Sequence, residues 1–222
     1  MQYLYHKDAA TPSLQLTGDE HRYIFKVRRA KVGDTINLRN LKDQILYSYR
    51  VIDIDKKSAI LHLASQRELI IKAKRSLHIG WCKIDPKSID KMLPTLNEIG
   101  VEKITIIDCQ RSQNSFRVDF ERAKKILLNS SQQCGRSSMM RLEQSASLER
   151  FIADYPQSYM LNFSENIISD YSHIETIIVG AEGGFTDVES RLIESEHIVA
   201  LETPLILKSE SAVAVIASKI VL

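Results

Sequence analysis

Three glycines fall within five positions at Gly180-Ala181-Glu182-Gly183-Gly184, with one carboxylate among them. Glycine frees the backbone for positive φ and lets a ligand lie against the main chain. A β-branched run, Ile177 to Val179, precedes the glycines, and Thr186-Asp187-Val188-Glu189 follows them. The run reads as a buried strand. The Thr/Glu spacing reads as a capping box that opens a helix. The order strand, glycine loop, helix start is that of the ligand crevice at strand ends in α/β sheets. A plain strand-to-helix turn would use the same residues. The loop lacks Gly-Lys-Ser/Thr and Gly-x-Gly-x-x-Gly, so neither a phosphate loop nor a dinucleotide fingerprint is present.

Four further segments carry groups able to do chemistry. Leu207-Lys208-Ser209-Glu210-Ser211-Ala212 puts a cation and a carboxylate at the start of a helix. Cys109-Gln110-Arg111-Ser112 follows a strand. Gln132-Gln133-Cys134-Gly135-Arg136-Ser137 sits at a helix end. Lys26, Arg28, Arg29 and Lys31 crowd into six positions. Cations at a helix C-terminus suit the macrodipole, but four exceed what capping needs, which favours phosphate contact with nucleic acid. No histidines fall at metal-ligand spacing, and no metal is expected. Cys82, Cys109 and Cys134 lack a Cys-x-x-Cys and read as buried free thiols in a reducing cytoplasm.

Elements must hold these groups in place. Residues 1–70 read as short strands at Met1–His6, Thr35–Leu41, Ile45–Ile54 and Ala59–Leu63, with a turn at Asp55–Ser58. This spacing suggests a small barrel. Between the first two strands Thr17-Gly18-Asp19-Glu20 reads as a second capping box, with Ile24 and Val27 on one face of its helix. Lys72–Ser76 reads as a link, so the domains are expected at 1–72 and 73–222. From there strands (77–84, 103–107, 158–163, 175–179, 198–201) alternate with helices (86–99, 119–133, 147–154, 186–196, 209–221). That alternation predicts a parallel sheet covered on both faces. Pro94 is expected to kink or shorten its helix. Ala212 to Ser218 is small and apolar all round, as in a helix buried on every face.

The 222 residues are 44% hydrophobic and 26% charged, ordinary for a soluble globular protein. No apolar run approaches the roughly 20 residues of a membrane span, and no signal peptide is visible. The net charge of +2 conceals a split. Residues 1–150 carry +10 and residues 151–222 carry −8. A basic body of this kind suits a polyanion.

Taken in order, these segments resemble the RsmE-type ribosomal RNA methyltransferases, a SPOUT family. The resemblance rests on His21, Val27-Arg28 and Gly33-Asp34, then Glu98-Ile99-Gly100-Val101 with Ile104-Thr105, then Arg111 and Gln133-Cys134-Gly135-Arg136. It ends in Gly180–Gly184 and Leu207–Ala212. It implies a PUA-like β-barrel followed by an α/β domain with a parallel sheet and a C-terminal trefoil knot. It also implies a cytoplasmic homodimer that uses S-adenosylmethionine to methylate N3 of a uridine in 16S ribosomal RNA. By position, Gly180, Glu182, Gly183, Gly184, Leu201, Ile206, Leu207, Ser211 and Ala212 would hold the cofactor. Arg111, Arg136, Glu182, Lys208 and Glu210 are the catalytic candidates, with loop bracing open for Glu182 and helix capping for Glu210. Arg28, Arg29, Lys31, Arg111, Gln133 and Arg136 would meet RNA. The chain departs from the pattern at Ala181, where proline is usual, at Gln132, and in missing cations at Pro94, Thr95 and Leu205. Lys208 stands for an arginine and loses its planar fork. These losses leave a second reading, an RNA-binding assembly factor with weakened catalysis.

Overall fold

A computed structural model describes residues 2–112 and 117–222 of the chain. They form two compact units, Met1–Lys72 with Ser131–Met139, and Ala73–Ser130 with Met140–Leu222.

The first unit is a curled five-stranded sheet of β1 (Leu4–Tyr5), β2 (Ser13–Thr17), β3 (Thr35–Arg39), β4 (Ile45–Ile54) and β5 (Ser58–Glu68), in the order β1-β3-β4-β5-β2. Alternate residues point inward, as period-2 sequences demand. Leu14, Leu16, Ile36, Leu38, Tyr49, Val51 and Leu61 make the core. Register shifts at Ser48/Tyr49 and Val51/Asp53 bend the long β4–β5 hairpin. Its turn closes by Asp55 N–H donating to the Ser58 carbonyl at 2.8 Å. Among the described residues no pairing joins β1 to β2, so the sheet curls without closing.

The segment after β2 departs from expectation. Helix α1 (Gly18–His21) runs into a π-helical turn, Arg22–Val27. Thr17 makes no side-chain cap bond. Gly18 takes φ +56, which turns the chain away from the geometry a capping box needs. The wide turn puts Ile24 and Phe25 inside and leaves Val27 63% exposed. Residues 131–139 pack with this unit. Gln2 N–H donates to the Gln132 carbonyl (2.9 Å), Tyr5 N–H to Gln132 Oε1 (2.7 Å) and Tyr3 OH to the Arg136 carbonyl (2.8 Å).

The second unit holds six parallel strands: β6 (His78–Cys82), β7 (Lys103–Ile107), β8 (Arg141–Ser145), β9 (Tyr159–Leu161), β10 (Thr176–Val179) and β11 (Ile198–Val199). Their order is β11-β9-β10-β6-β7-β8. Every residue of β6 and β7 is buried, as a sheet covered on both faces requires. The helices are α2 (Pro86–Ile99), α3 (Phe120–Cys134), α4 (Leu148–Asp154), α5 (Asp187–Ser190) and α6 (Ser209–Val221). β6 leads outward through β7 to β8, and the later strands add on the other side. The direction of addition therefore switches between β6 and β10, and ligand crevices form at such points.

Several expectations need correction. Helix α2 continues through Pro94, because its buried face of Ile89, Leu93, Leu96 and Asn97 outweighs one lost hydrogen bond. The helix expected over 186–196 stops at Ser190, and a short 3₁₀ turn follows at Ser195–His197. Strand β8 was not anticipated. Within the single chain, helix α6 buries Val213, Ile216, Ala217 and Ile220 and leaves Ser211, Val215 and Lys219 exposed. Cys82 and Cys109 are not free thiols but a disulfide. Cys82 ends β6 and Cys109 lies in the loop just beyond β7, with Cα atoms 5.7 Å apart. Among the described residues no helix is long and apolar enough to cross a membrane.

His78 anchors a polar cluster inside this unit. Its Nε2 lies 2.8 Å from Thr105 Oγ1, and its ring meets Tyr155 edge-on at 4.4 Å. Burial, and then the Lys103 charge, push its pKa from 6.5 down to about 4. The unfolded chain therefore binds the proton more readily than the folded one. This contribution to stability should be complete above about pH 6.5 and fall away toward about pH 4. Thermal midpoints across that range should decline less steeply in His78→Gln than in the unmodified protein; equal slopes would remove His78 from the account.

Candidate functional site

The glycine loop leaves β10 at the switch point and is fixed from three directions. First, the buried Ser209 hydroxyl donates to the Gly180 carbonyl at 2.5 Å and accepts from Trp81 Nε1 at 2.8 Å. Second, Arg111 Nη1 donates to the carbonyls of Gly183 (2.7 Å) and Phe185 (3.1 Å). A Cβ on Gly183 would lie 3.2 Å from Arg111 Cβ and 3.3 Å from its Cδ, so a side chain there would push the Arg111 side chain by a few tenths of an ångström. Third, the Thr186–Glu189 capping box forms as expected. Glu189 is 1% exposed, and its carboxylate does more than cap. Oε2 accepts from Thr186 N–H at 2.8 Å, and Oε1 accepts from Gln110 N–H at 2.8 Å. The loop after β7 is thereby tied to the glycine loop. Gly184, at φ +65, completes the turn by donating to the Ala181 carbonyl at 2.9 Å.

A cavity of about 340 Å³ opens beside this loop. Residues 161–163, 179–185, 200, 201, 203, 205–209 and 212 line it. Of the expected cofactor residues, Gly180, Glu182, Gly183, Gly184, Leu201, Ile206, Leu207 and Ala212 all meet here, and Ser211 does not. The walls are mostly apolar, with main-chain polar groups along the glycine loop, a composition typical of small-molecule sites. Glu182 is exposed and lines the cavity. It makes no hydrogen bond among the described residues; Arg111 and Glu189 brace the loop instead. Among the described residues Lys208 is the one cation lining the cavity, and it is exposed. Glu210 is half-buried in the first turn of α6, and its Oε2 is enclosed without a hydrogen-bond partner among the described residues.

The remaining candidates lie elsewhere. Arg136 and Gln133 belong to the first unit, where Arg136 is 7% exposed and Gln133 is on the surface. Arg28, Arg29 and Lys31 are exposed. The Arg28 guanidinium lies 5.7 Å from the centroid of the Tyr23 ring, and Arg29 takes φ 60. The sequence did not mark the third wall of the cavity, Leu161 to Phe163 at the end of β9, the role of Ser209, or the bond from Gln110 N–H to Glu189. Ser209 lies within Leu207–Ala212, but its bond to Trp81 spans 128 positions.

The chain matches the RNA methyltransferase domain over residues 72–221 and the RNA methyltransferase PUA domain over residues 16–64. It is 35% identical over 222 residues to the ribosomal RNA small subunit methyltransferase E of Helicobacter pylori strain 26695, covering 98% of both chains. The chain belongs to the ribosomal RNA small subunit methyltransferase E family. Two solved structures share the fold. One is a methyltransferase from Legionella pneumophila in complex with its bound cofactor S-adenosylmethionine, with TM-score 0.80 and 23% identity over 99% of this chain and 96% of that one. The other is the ribosomal RNA small subunit methyltransferase E of Neisseria gonorrhoeae bound to S-adenosylmethionine, with TM-score 0.79 and 18% identity over 98% and 96%. In this family member the expected cofactor segments, far apart in sequence, converge on one cavity.

The Ser209 hydroxyl sits where sheet, loop and helix meet. Ser209→Ala leaves the buried Trp81 N–H and the Gly180 carbonyl without their partner. It should lower stability by about 1–3 kcal/mol in urea unfolding. A change within a few tenths of a kcal/mol would show that the hydroxyl is dispensable.

Proposed function

We propose that this protein transfers a methyl group from S-adenosylmethionine to N3 of a uridine in 16S ribosomal RNA. The observation that carries this reading is the convergence of the glycine loop and residues 201–212 on one cavity, in a chain 35% identical along its length to a ribosomal RNA small subunit methyltransferase E. The cavity fits the cofactor by its donor set. Gly180, Gly183 and Gly184 offer main-chain amides and carbonyls, and Leu201, Ile206 and Leu207 offer apolar walls for a flat ring. Ala212 leaves room at the start of α6, and Ser211 completes the segment from outside the cavity.

The cofactor, when bound, supplies an electrophilic methyl group on a sulfonium. The chain supplies the rest. A uridine N3 proton is weakly acidic, so a base must take it, or the negative ring must be stabilised. Glu182 and Glu210 are the two carboxylates for the first task, and Lys208 is the cation for the second. Arg111 is committed to Gly183 and Phe185, so it positions the loop. Arg136 is buried, which weighs against direct phosphate contact. Arg28, Arg29, Lys31 and Gln133 hold the RNA through phosphate and shape. This reading also takes 1–72 as the RNA-binding domain and 73–222 as the methyltransferase domain. It includes a trefoil knot through the C-terminal segment, a homodimer and a cytoplasmic setting.

The test is calorimetry with S-adenosylhomocysteine, followed by transfer of labelled methyl groups onto purified small subunits. Binding and transfer are expected. Gly183→Val should abolish binding, because the side chain displaces Arg111 and crowds the loop. Full affinity in that variant would contradict the site, and absence of binding and transfer in the unmodified protein would contradict the activity. Binding of small subunits without transfer would favour an assembly factor.

A further inference from the structure

Two of the braces on the glycine loop start from neighbouring places in the sheet. Trp81, which reaches the loop through Ser209, is followed by Cys82. Gln110, which bonds Glu189, and Arg111, which bonds the loop carbonyls, are preceded by Cys109. The Cys82–Cys109 disulfide joins these two starting points covalently. It closes a circuit from Trp81 through Ser209 and Gly180, round the glycine loop, back through Arg111 to Cys109, and across the sulfurs to Cys82.

The bridge acts on one short turn. Up to Asp108 the chain is fastened without it. Lys83 N–H donates to the Ile107 carbonyl at 2.8 Å, the Lys83 ammonium pairs with the Asp108 carboxylate, and Asp108 N–H donates to the Ser145 carbonyl at 3.3 Å. Beyond that point residues 109–112 bond to one another. Cys109 N–H donates to Ser112 Oγ and Ser112 N–H to the Cys109 carbonyl, each at 3.0 Å. The disulfide fastens this turn, and with it Gln110 and Arg111, to the end of β6. Opening it leaves the sheet intact and loosens the turn. Disulfides in a reducing compartment are usually transient and redox-sensing. Cys82 is 1% exposed and Cys109 5%, so a small oxidant, a peroxide, is the kind that reaches them.

We propose that Cys82 and Cys109 form a redox switch for the neighbouring cavity: the disulfide fixes the 109–112 turn and strengthens S-adenosylmethionine binding, and the dithiol weakens it. This rests on the cofactor reading of the cavity. Cys109, the more exposed of the two, attacks one oxygen of hydrogen peroxide as the thiolate. The O–O bond breaks, a sulfenic acid forms, and the other oxygen leaves as water with the thiol proton. The Cys82 thiolate then displaces the sulfenic hydroxyl, which leaves as a second water with the Cys82 proton. Two thiols lose two electrons, and one peroxide becomes two waters. A turn fixed in advance spares the cofactor the entropy of ordering it. By linkage, the bound cofactor must favour the disulfide by the same factor.

Calorimetry with S-adenosylhomocysteine compares the protein oxidised by hydrogen peroxide with the protein reduced by dithiothreitol, both desalted into oxygen-free buffer. Kd should be roughly 10-fold weaker in the reduced form, within the usual range of coupling between sites. In glutathione buffers of graded ratio, saturating S-adenosylhomocysteine should shift the thiol–disulfide equilibrium of the unmodified protein by the same factor, about 30 mV for this two-electron couple. Cys109→Ser should bind like the reduced protein under both conditions, and Cys134→Ser should respond like the unmodified protein. On reduction, hydrogen exchange should quicken at the Gln110 and Thr186 amides and stay slow along β6 and β7. Equal affinities in the two redox states, or an equilibrium unmoved by the ligand, would overturn the proposal. So would quickened exchange throughout β6 and β7, which would make the bridge a general support of the sheet. If neither redox state binds S-adenosylhomocysteine, the cofactor reading itself fails, and this inference with it.

Discussion

One hydroxyl joins the three parts of the site. Ser209 accepts from the indole of Trp81, a fully buried residue of the central strand β6, and donates to Gly180, the first residue of the glycine loop. It is also the first residue of α6. The start of the last helix, the exit of the loop from β10 and the interior of the sheet are therefore tied together by a single pair of hydrogen bonds. Buried polar groups are costly when unpaired, so this arrangement allows little drift. Leu207 and Lys208 precede it directly, so the second wall of the cavity inherits the same constraint.

Around that point the loop is held from outside by charge. The buried Glu189 carboxylate accepts main-chain N–H groups from Thr186 and Gln110, and Arg111 donates to two loop carbonyls. Bonds to charged groups are stronger than neutral ones. They also divide the labour among charged residues near the site. Arg111 and Glu189 are used in holding the backbone, while Glu182 and Lys208 stand free on the cavity. A loop fixed in advance spares a ligand the entropy of ordering it.

Much of this was legible in the residues. Lys103–Ile107 and Ser209–Val221 read correctly at both ends, because continuous apolar content marks them. The glycine loop and the Thr186–Glu189 box are local patterns. What the sequence hid depends on partners distant along the chain. Strand β8, Arg-Leu-Glu-Gln-Ser, has one apolar residue and pairs only with β7, so its edge position left no hydrophobic signal. Pro94 argued against a continuous helix, and the buried face of α2 overrode it. Thr17 promised a cap that the positive φ of Gly18 prevents. The pairing of Cys82 with Cys109 needed the register of β6 on β7. Gln110 and Glu189 lie 79 positions apart, and no local pattern marks such a bond. The contrast between Arg136, 7% exposed, and Gln133, on the surface, is likewise unmarked by any local pattern.

The account centres on a uridine-N3 methyl transfer performed at this cavity. Nucleoside mass spectrometry of small-subunit ribosomal RNA, from a strain lacking the protein and from the same strain complemented, measures that product in the cell. The account predicts that one 3-methyluridine disappears in the deletion and returns on complementation. An unchanged nucleoside profile would contradict it.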